Sequence, residues 1–142
     1  MKSVISALLL AALAGAGPAA AQEPIGFKTP SGNIHCQLFE KTADQPVAEL
    51  RCDIREMSSA APPRPRDCEQ DWGQAFAVRA DTAPATRLCH GDTVADSALP
   101  ALAYGAAWQC GGFACRSETT GLTCVNAANN GFALAKASQR LF

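Results

Sequence analysis

The spacing of the cysteines constrains this chain more than any other feature. Cys36 lies in Ile34-x-Cys36-x-Leu38 and Cys52 in Leu50-x-Cys52-x-Ile54. Both are period-two patterns, in which alternate side chains share one face of a strand. If the two segments pair antiparallel with Cys36 opposite Cys52, Ile34 falls opposite Ile54 and Leu38 opposite Leu50. Every in-facing residue then meets another, the agreement that fixes register. A slip of one residue would turn Leu50 and Ile54 into water. The device returns as Phe113-x-Cys115 and Leu122-x-Cys124, with Glu118-Thr119-Thr120-Gly121 as the turn between them. We read this echo as the likeness of two bridged hairpins rather than as two related units.

The other segments fit around these hairpins. Residues 27–29 are short and extended, and Pro30-Ser31-Gly32-Asn33 is a turn, because Pro fixes φ while Gly and Asn tolerate φ > 0. Residues 48–55 alternate an apolar face with a charged one bearing Glu49, Arg51, Asp53 and Arg55. Residues 57–66, with Pro62, Pro63 and Pro65, form a loop or an extended crossing segment. Residues 67–72 are expected to make one helical turn. Residues 74–80, 86–89 and 107–110 are expected as strands, with Gly111-Gly112 as a bulge or bend. Asn129-Asn130-Gly131 signals a tight turn into a strand carrying Phe132 and Leu134 on one face. The closing Arg140-Leu141-Phe142 is apolar enough to dock on the body. The fold class is therefore all-β: a small disulfide-stapled antiparallel sandwich or open barrel of about seven or eight short strands.

Residues 1–21 read as a secretory signal peptide. Lys2 is followed by an apolar run over residues 4–14, then Gly15, Gly17 and Pro18, and Ala19-Ala20-Ala21 gives a small-x-small cleavage pattern. The run is well short of the roughly 20 residues that span a bilayer. No Cys follows the cleavage pattern, so no lipid-anchored N-terminus is expected. Residues 22–142 form a single exported β domain of roughly 120 residues, periplasmic or secreted. The formal net charge is −1, and loss of Lys2 lowers it by one more unit. Such a balance points to neither nucleic acid nor an anionic membrane surface as partner. No later stretch is long and apolar enough for a transmembrane span after signal cleavage.

All seven Cys fall in the exported part, where an oxidising compartment makes them a disulfide framework. With Cys36–Cys52 and Cys115–Cys124 tied as hairpins, Cys68 and Cys89 remain to pair. That bridge closes a loop containing the whole 74–80 strand. Cys110 is left over: an inert buried thiol, an exchange partner for Cys115 or Cys124, or the link of a covalent homodimer.

No catalytic signature is present. His35 and His90 each adjoin a Cys, but neighbours on a strand face opposite ways, so neither pair converges on zinc. Asp67, Glu69 and Asp71 are the densest acidic group, and read as a solvated face rather than a calcium loop. Phe39, Trp72, Tyr104 and Trp108 are candidates for an aromatic binding patch, although most of the six Phe, two Trp and one Tyr should be needed by the core. The sequence assigns no catalytic residue, metal or cofactor.

A set of motifs spread over the exported part carries a resemblance. It comprises Phe27-x-Thr29-Pro30-Ser31-Gly32-Asn33-Ile34-x-Cys36, Arg51-Cys52-Asp53-Ile54, Asp71-Trp72-Gly73, Cys89-x-Gly91-Asp92-Thr93, Tyr104-Gly105, Phe113-x-Cys115, Gly121-Leu122-Thr123-Cys124-x-Asn126 and Gly131-Phe132-x-Leu134. Together they resemble a family of small exported bacterial proteins catalogued as a domain of unknown function. The resemblance implies export and six structural Cys, and no activity. Asn130 stands where the family pattern has His, and Cys110 is an addition to the six.

The leading functional expectation is a non-enzymatic binding or interaction module, whose partner is an envelope or extracellular protein or a small ligand. A small hydrolase with an unrecognised site and a secreted inhibitor are the alternatives. Convergence of His90, Asp92 and another polar group in one cleft would favour an enzyme.

Overall fold

The computed structural model describes residues 25–142, so the expected signal segment lies outside the described residues. Among the described residues ten strands form, against the seven or eight expected: β1 Gly26–Lys28, β2 Ile34–Phe39, β3 Glu49–Ile54, β4 Asp71–Arg79, β5 Thr86–His90, β6 Ala107–Cys110, β7 Phe113–Glu118, β8 Gly121–Asn126, β9 Gly131–Ala135 and β10 Ser138–Leu141. Each half of the chain makes one five-stranded antiparallel meander, ordered β1-β2-β3-β4-β5 and β10-β9-β8-β7-β6. The sheets pack as a sandwich and do not close into a barrel.

The observed β2–β3 register is Ile34 opposite Ile54, Cys36 opposite Cys52 and Leu38 opposite Leu50. In the second sheet Cys115 faces Cys124 and Glu118 faces Gly121. Bridges join Cys36 to Cys52, Cys68 to Cys89 and Cys115 to Cys124. The echo between hairpins extends across four strands of each sheet. One rung of the first sheet runs Phe27, Cys36, Cys52, Phe76. The equivalent rung of the second runs Trp108, Cys115, Cys124, Phe132. The two rungs meet in the core. Phe27 packs on Trp108 with ring centroids 5.1 Å apart, and Phe76 on Phe132 at 6.5 Å. The Cys124 sulfur lies within 4.8 Å of both sulfurs of the Cys36–Cys52 bridge. Leu50, Ile54, Val78, Leu122 and Leu134 complete a core that excludes water.

Several local expectations are corrected. Residues 67–72 make no helical turn. A turn closed by Cys68 N donating to Pro65 O leads into β4, which starts at Asp71. Gly73, at φ 118°, sits within the irregularity between Trp72 and Phe76 that re-aims β4 against β5. Gly111 and Gly112 are the two central residues of a tight β6–β7 hairpin, with φ of 59° and 88°, rather than a bulge. Arg140 and Leu141 do more than dock, because they belong to β10 and pair with β9.

The largest correction concerns the charged face of β3. Arg51 and Asp53 do not face water; they are 7% and 3% exposed. A strap, residues 91–102, leaves β5 at one edge and crosses the outer face of the first sheet to the other. Asp53 accepts from Thr93 Oγ1 at 2.9 Å and Val94 N at 3.0 Å, while Gln37 donates to Val94 O. His35 Nδ1 accepts from Asp96 N, which leaves Nε2–H to donate to Gly32 O. Lys28 Nζ donates to Ser97 O. The strap ends as a parallel bridge beside β1, with Lys28 N donating to Pro100 O and Leu102 N to Lys28 O. An edge with unpaired backbone groups invites pairing with other chains, and here the strap covers it.

Candidate functional site

A concavity with free polar groups lies at one end of the sandwich, where turns from both sheets meet. It is a cleft of about 440 Å³ lined by the β1–β2 turn, the end of β3, the β7–β8 turn and the β9–β10 turn, with Tyr104 at its margin. Small-molecule sites are typically about 300–1,000 Å³.

Local chemistry makes this end rigid. Gly32, at φ 68°, closes the first turn by donating its N–H to Thr29 O. Thr29 Oγ1 takes the Ile34 N–H. Asn33 clamps the start of the next loop in both directions: its Nδ2 donates to Glu56 O at 3.0 Å, and Glu56 N donates to its Oδ1 at 2.9 Å. Lys136 then ties the sheets together, with Nζ 3.0 Å from Glu56 Oε2 and its carbonyl accepting from Ser58 N. The Lys136 hydrogen bond holds the Glu56 carboxyl below its ordinary range. The Cys36–Cys52 and Cys115–Cys124 bridges cross the two hairpins whose ends form the walls.

Tyr104 is held by its neighbours. Gly105, at φ 82°, donates its N–H to Ser117 O, and Ala106 N donates to Ala103 O. The ring remains 49% exposed. Among the described residues, the Tyr104, Thr119 and Thr120 hydroxyls and the Arg55 guanidinium make no hydrogen bond to the chain. The Glu118 carboxylate forms an exposed ion pair with Arg116 at 3.7 Å and accepts no hydrogen bond from the chain. The cleft therefore offers a fixed floor, four uncommitted polar groups and the exposed Glu118 carboxylate.

A second, smaller concavity of about 290 Å³ gathers Asp53, Asp71, Gln74, His90, Asp92 and Thr93. His90 and Asp92 do converge, but the Asp92 carboxylate and one His90 nitrogen are committed. His90 Nδ1 lies 2.6 Å from Asp92 O, and since a carbonyl only accepts, Nδ1 carries the proton. Nε2 is buried with no partner. The Asp92 carboxylate bonds Arg51 at 2.8 Å, which lowers its pKa, and the Thr93 hydroxyl is spent on Asp53. Burial alone would pull the Arg51 pKa down, but its bonds to Asp53 and Asp92 raise it. The arrangement works as a latch for the strap.

The remaining candidates are scattered. Asp67, Glu69 and Asp71 are exposed. His35 lies beneath the strap. Trp72 donates Nε1–H to Pro62 O, Trp108 packs into the core, and Phe39 is exposed at the end of β2. The four aromatic candidates form no common patch, and only Tyr104 lines the cleft. Cys110 is an unbridged, half-buried thiol on the outermost strand of the second sheet. Cys36, Cys52 and Cys124 are the one close cluster of metal-ligating types among the described residues, but their sulfurs are in bridges and carry no thiolate for an ion.

Sequence reasoning missed the cleft because Arg55, Glu118, Thr119 and Thr120 lie on turns far apart in the chain. The exposed Tyr104 beside Gly105 was its one sequence signal. Neither the search of curated proteins nor that of solved structures returned a match. A family profile matches residues 4–142, so the chain belongs to DUF6636, a family of unknown function.

Proposed function

We propose that this chain is an exported, disulfide-stabilised module that binds a ligand or partner in the periplasm or the medium and does not transform it. The cleft between the bridged hairpins carries this reading. It combines a rigid floor with polar groups left uncommitted by the fold, the pattern of a recognition surface. Export is supported by the charge, apolar run and Ala19-Ala20-Ala21 pattern of residues 1–21. The three bridges, with no helix among the described residues long and apolar enough to cross a membrane, are compatible with an extracellular location.

A hydrolytic alternative would run through His90, whose Nε2 lone pair is unpartnered. It would need a substrate that opens the strap, since Asp92 and Thr93 are held by Arg51 and Asp53. A Cys110-linked dimer is a further proposal, checked by mass on a non-reducing gel against Cys110→Ser.

The test of the binding reading is amide NMR on oxidised protein recovered from a bacterial periplasm. Dialysable and retained fractions of an envelope extract are titrated separately. The expected result is saturable shifts at Asn33, Arg55, Tyr104, Thr119 and Thr120. If no fraction perturbs these amides, the reading is wrong.

A further inference from the structure

We infer that the cleft takes a neutral, hydroxyl-rich ligand of the saccharide class, with Tyr104 as the stacking platform. This rests on the binding reading and deepens it.

The formal charges of the cleft balance. The lining holds two cations, Arg55 and Lys136, and two anions, Glu56 and Glu118; Lys136 is paired with Glu56 at 3.0 Å, and Glu118 lies 3.7 Å from Arg116 outside the lining. A strongly charged ligand would leave one of these groups uncompensated, whereas a neutral one would not.

The lining is poorly suited to a peptide. A peptide in an extended site needs free strand-edge backbone or apolar pockets for its side chains. The backbone of the β1–β2 turn is spent internally: Gly32 N on Thr29 O, Thr29 N on Ile34 O, Ile34 N on Thr29 Oγ1 and Asn33 N on Ser31 Oγ. The aliphatic lining side chains are Ile34, which is 4% exposed, and the methyl group of Ala135.

What remains is the complement of a sugar ring. The Glu118 carboxylate has two acceptor oxygens for adjacent hydroxyls, and Arg55 offers a fork of donors. The Thr119, Thr120 and Tyr104 hydroxyls both donate and accept. The half-exposed Tyr104 ring gives a flat apolar surface with a polar tip, matching a sugar that is apolar on its C–H face and polar at its rim. The turn pinned to Ser117 fixes the backbone that carries the ring, so little backbone ordering is lost on binding.

The experiment titrates oxidised, isotope-labelled protein with maltose, cellobiose and N,N′-diacetylchitobiose, each to about 10 mM, well above the 1 mM Kd of a weak site. Digalacturonate and trialanine serve as the charged and peptide arms. We expect at least one neutral disaccharide to shift Asn33, Arg55, Tyr104 and the 118–121 amides saturably. Tyr104→Ala should weaken that binding about tenfold and Tyr104→Phe less, since the ring is retained. Spectra of the free variants, unchanged outside the cleft, exclude misfolding. If Tyr104→Ala does not fold, Thr120→Val carries the test, with a loss of about fivefold expected for one missing hydrogen bond. Binding of digalacturonate or trialanine alone at the cleft overturns the saccharide assignment and leaves the binding reading standing. Neutral sugars that shift only amides elsewhere, or bind unchanged to Tyr104→Ala and Thr120→Val, also overturn it. If neither the panel nor the envelope fractions perturb the cleft, both readings fail.

Discussion

Replacing Asp53 by Asn should release the strap from the first sheet. The carboxylate is 3% exposed and accepts four hydrogen bonds: Arg51 Nε at 2.9 Å, Arg51 Nη2 at 3.0 Å, Thr93 Oγ1 at 2.9 Å and Val94 N at 3.0 Å. An amide of the same shape removes the charge and turns an NH₂ towards donors. Arg51, 7% exposed, keeps Asp92 as its ion-pair partner. Breaking a buried pair from one side costs about 3–5 kcal/mol. The remaining Asp92 contact places this case near the lower end, at about 3 kcal/mol. That is a large part of the net stability of a small domain, about 5–15 kcal/mol. With a urea m-value of about 1.5 kcal/mol/M, the unfolding midpoint should fall by about 2 M. The assay is urea denaturation of oxidised protein, with hydrogen exchange at the Val94 amide as the local probe. Arg51→Met combined with Asp53→Leu should recover only part of the loss, because it removes both charges but leaves Thr93 Oγ1 and Val94 N without their acceptor. A loss below about 1 kcal/mol for Asp53→Asn, or unchanged Val94 exchange, would refute the argument that this pair holds the strap.

Mild reductant without denaturant should open Cys68–Cys89 first, since Cys89 is exposed while the other two bridges are at most 2% exposed; alkylation and peptide mass mapping would show the order, and simultaneous opening of all three would contradict it. Gly131→Ala should destabilise by on the order of 3 kcal/mol, because a Cβ there would stand 1.9 Å from Cys124 O and push β9 off β8; a thermal midpoint unchanged from the parent would show that the strands can shift freely. The Asp92 carboxyl has its pKa lowered by Arg51, so its contribution is complete above the unfolded value of about 3.9 and is lost as pH falls through the lower folded value. Stability measured between about pH 5 and pH 2 should therefore fall less steeply in Asp92→Asn than in the parent, and equal slopes would remove Asp92 from the latch.

How far the sequence could be read follows from the range over which each feature is encoded. Alternation of Ile34, Cys36 and Leu38 against Leu50, Cys52 and Ile54 is local, and it led directly to the observed β2–β3 register. The same holds for Cys115 and Cys124. The equivalence of the two rungs was harder to see, because Phe76 and Phe132 follow their Cys partners at different distances along the chain. The Gly111-Gly112 pair was misjudged because a bulge and a two-residue hairpin demand the same φ > 0 residues.

The sequence by itself determined an all-β chain and two bridged hairpins in fixed register. Those properties are written in periods of two residues, in turn residues and in composition, which need no knowledge of the rest of the chain. Tertiary structure decided that Arg51 and Asp53 are inside and that Arg55, Tyr104, Glu118, Thr119 and Thr120 share one cleft. Asp53 meets Val94 across 41 residues, and Lys136 meets Glu56 across 80. A polar side chain carries no mark of whether it faces water or a strap. Only the path of the chain after β5, set by where the two sheets pack and which edge lies open, settles that choice.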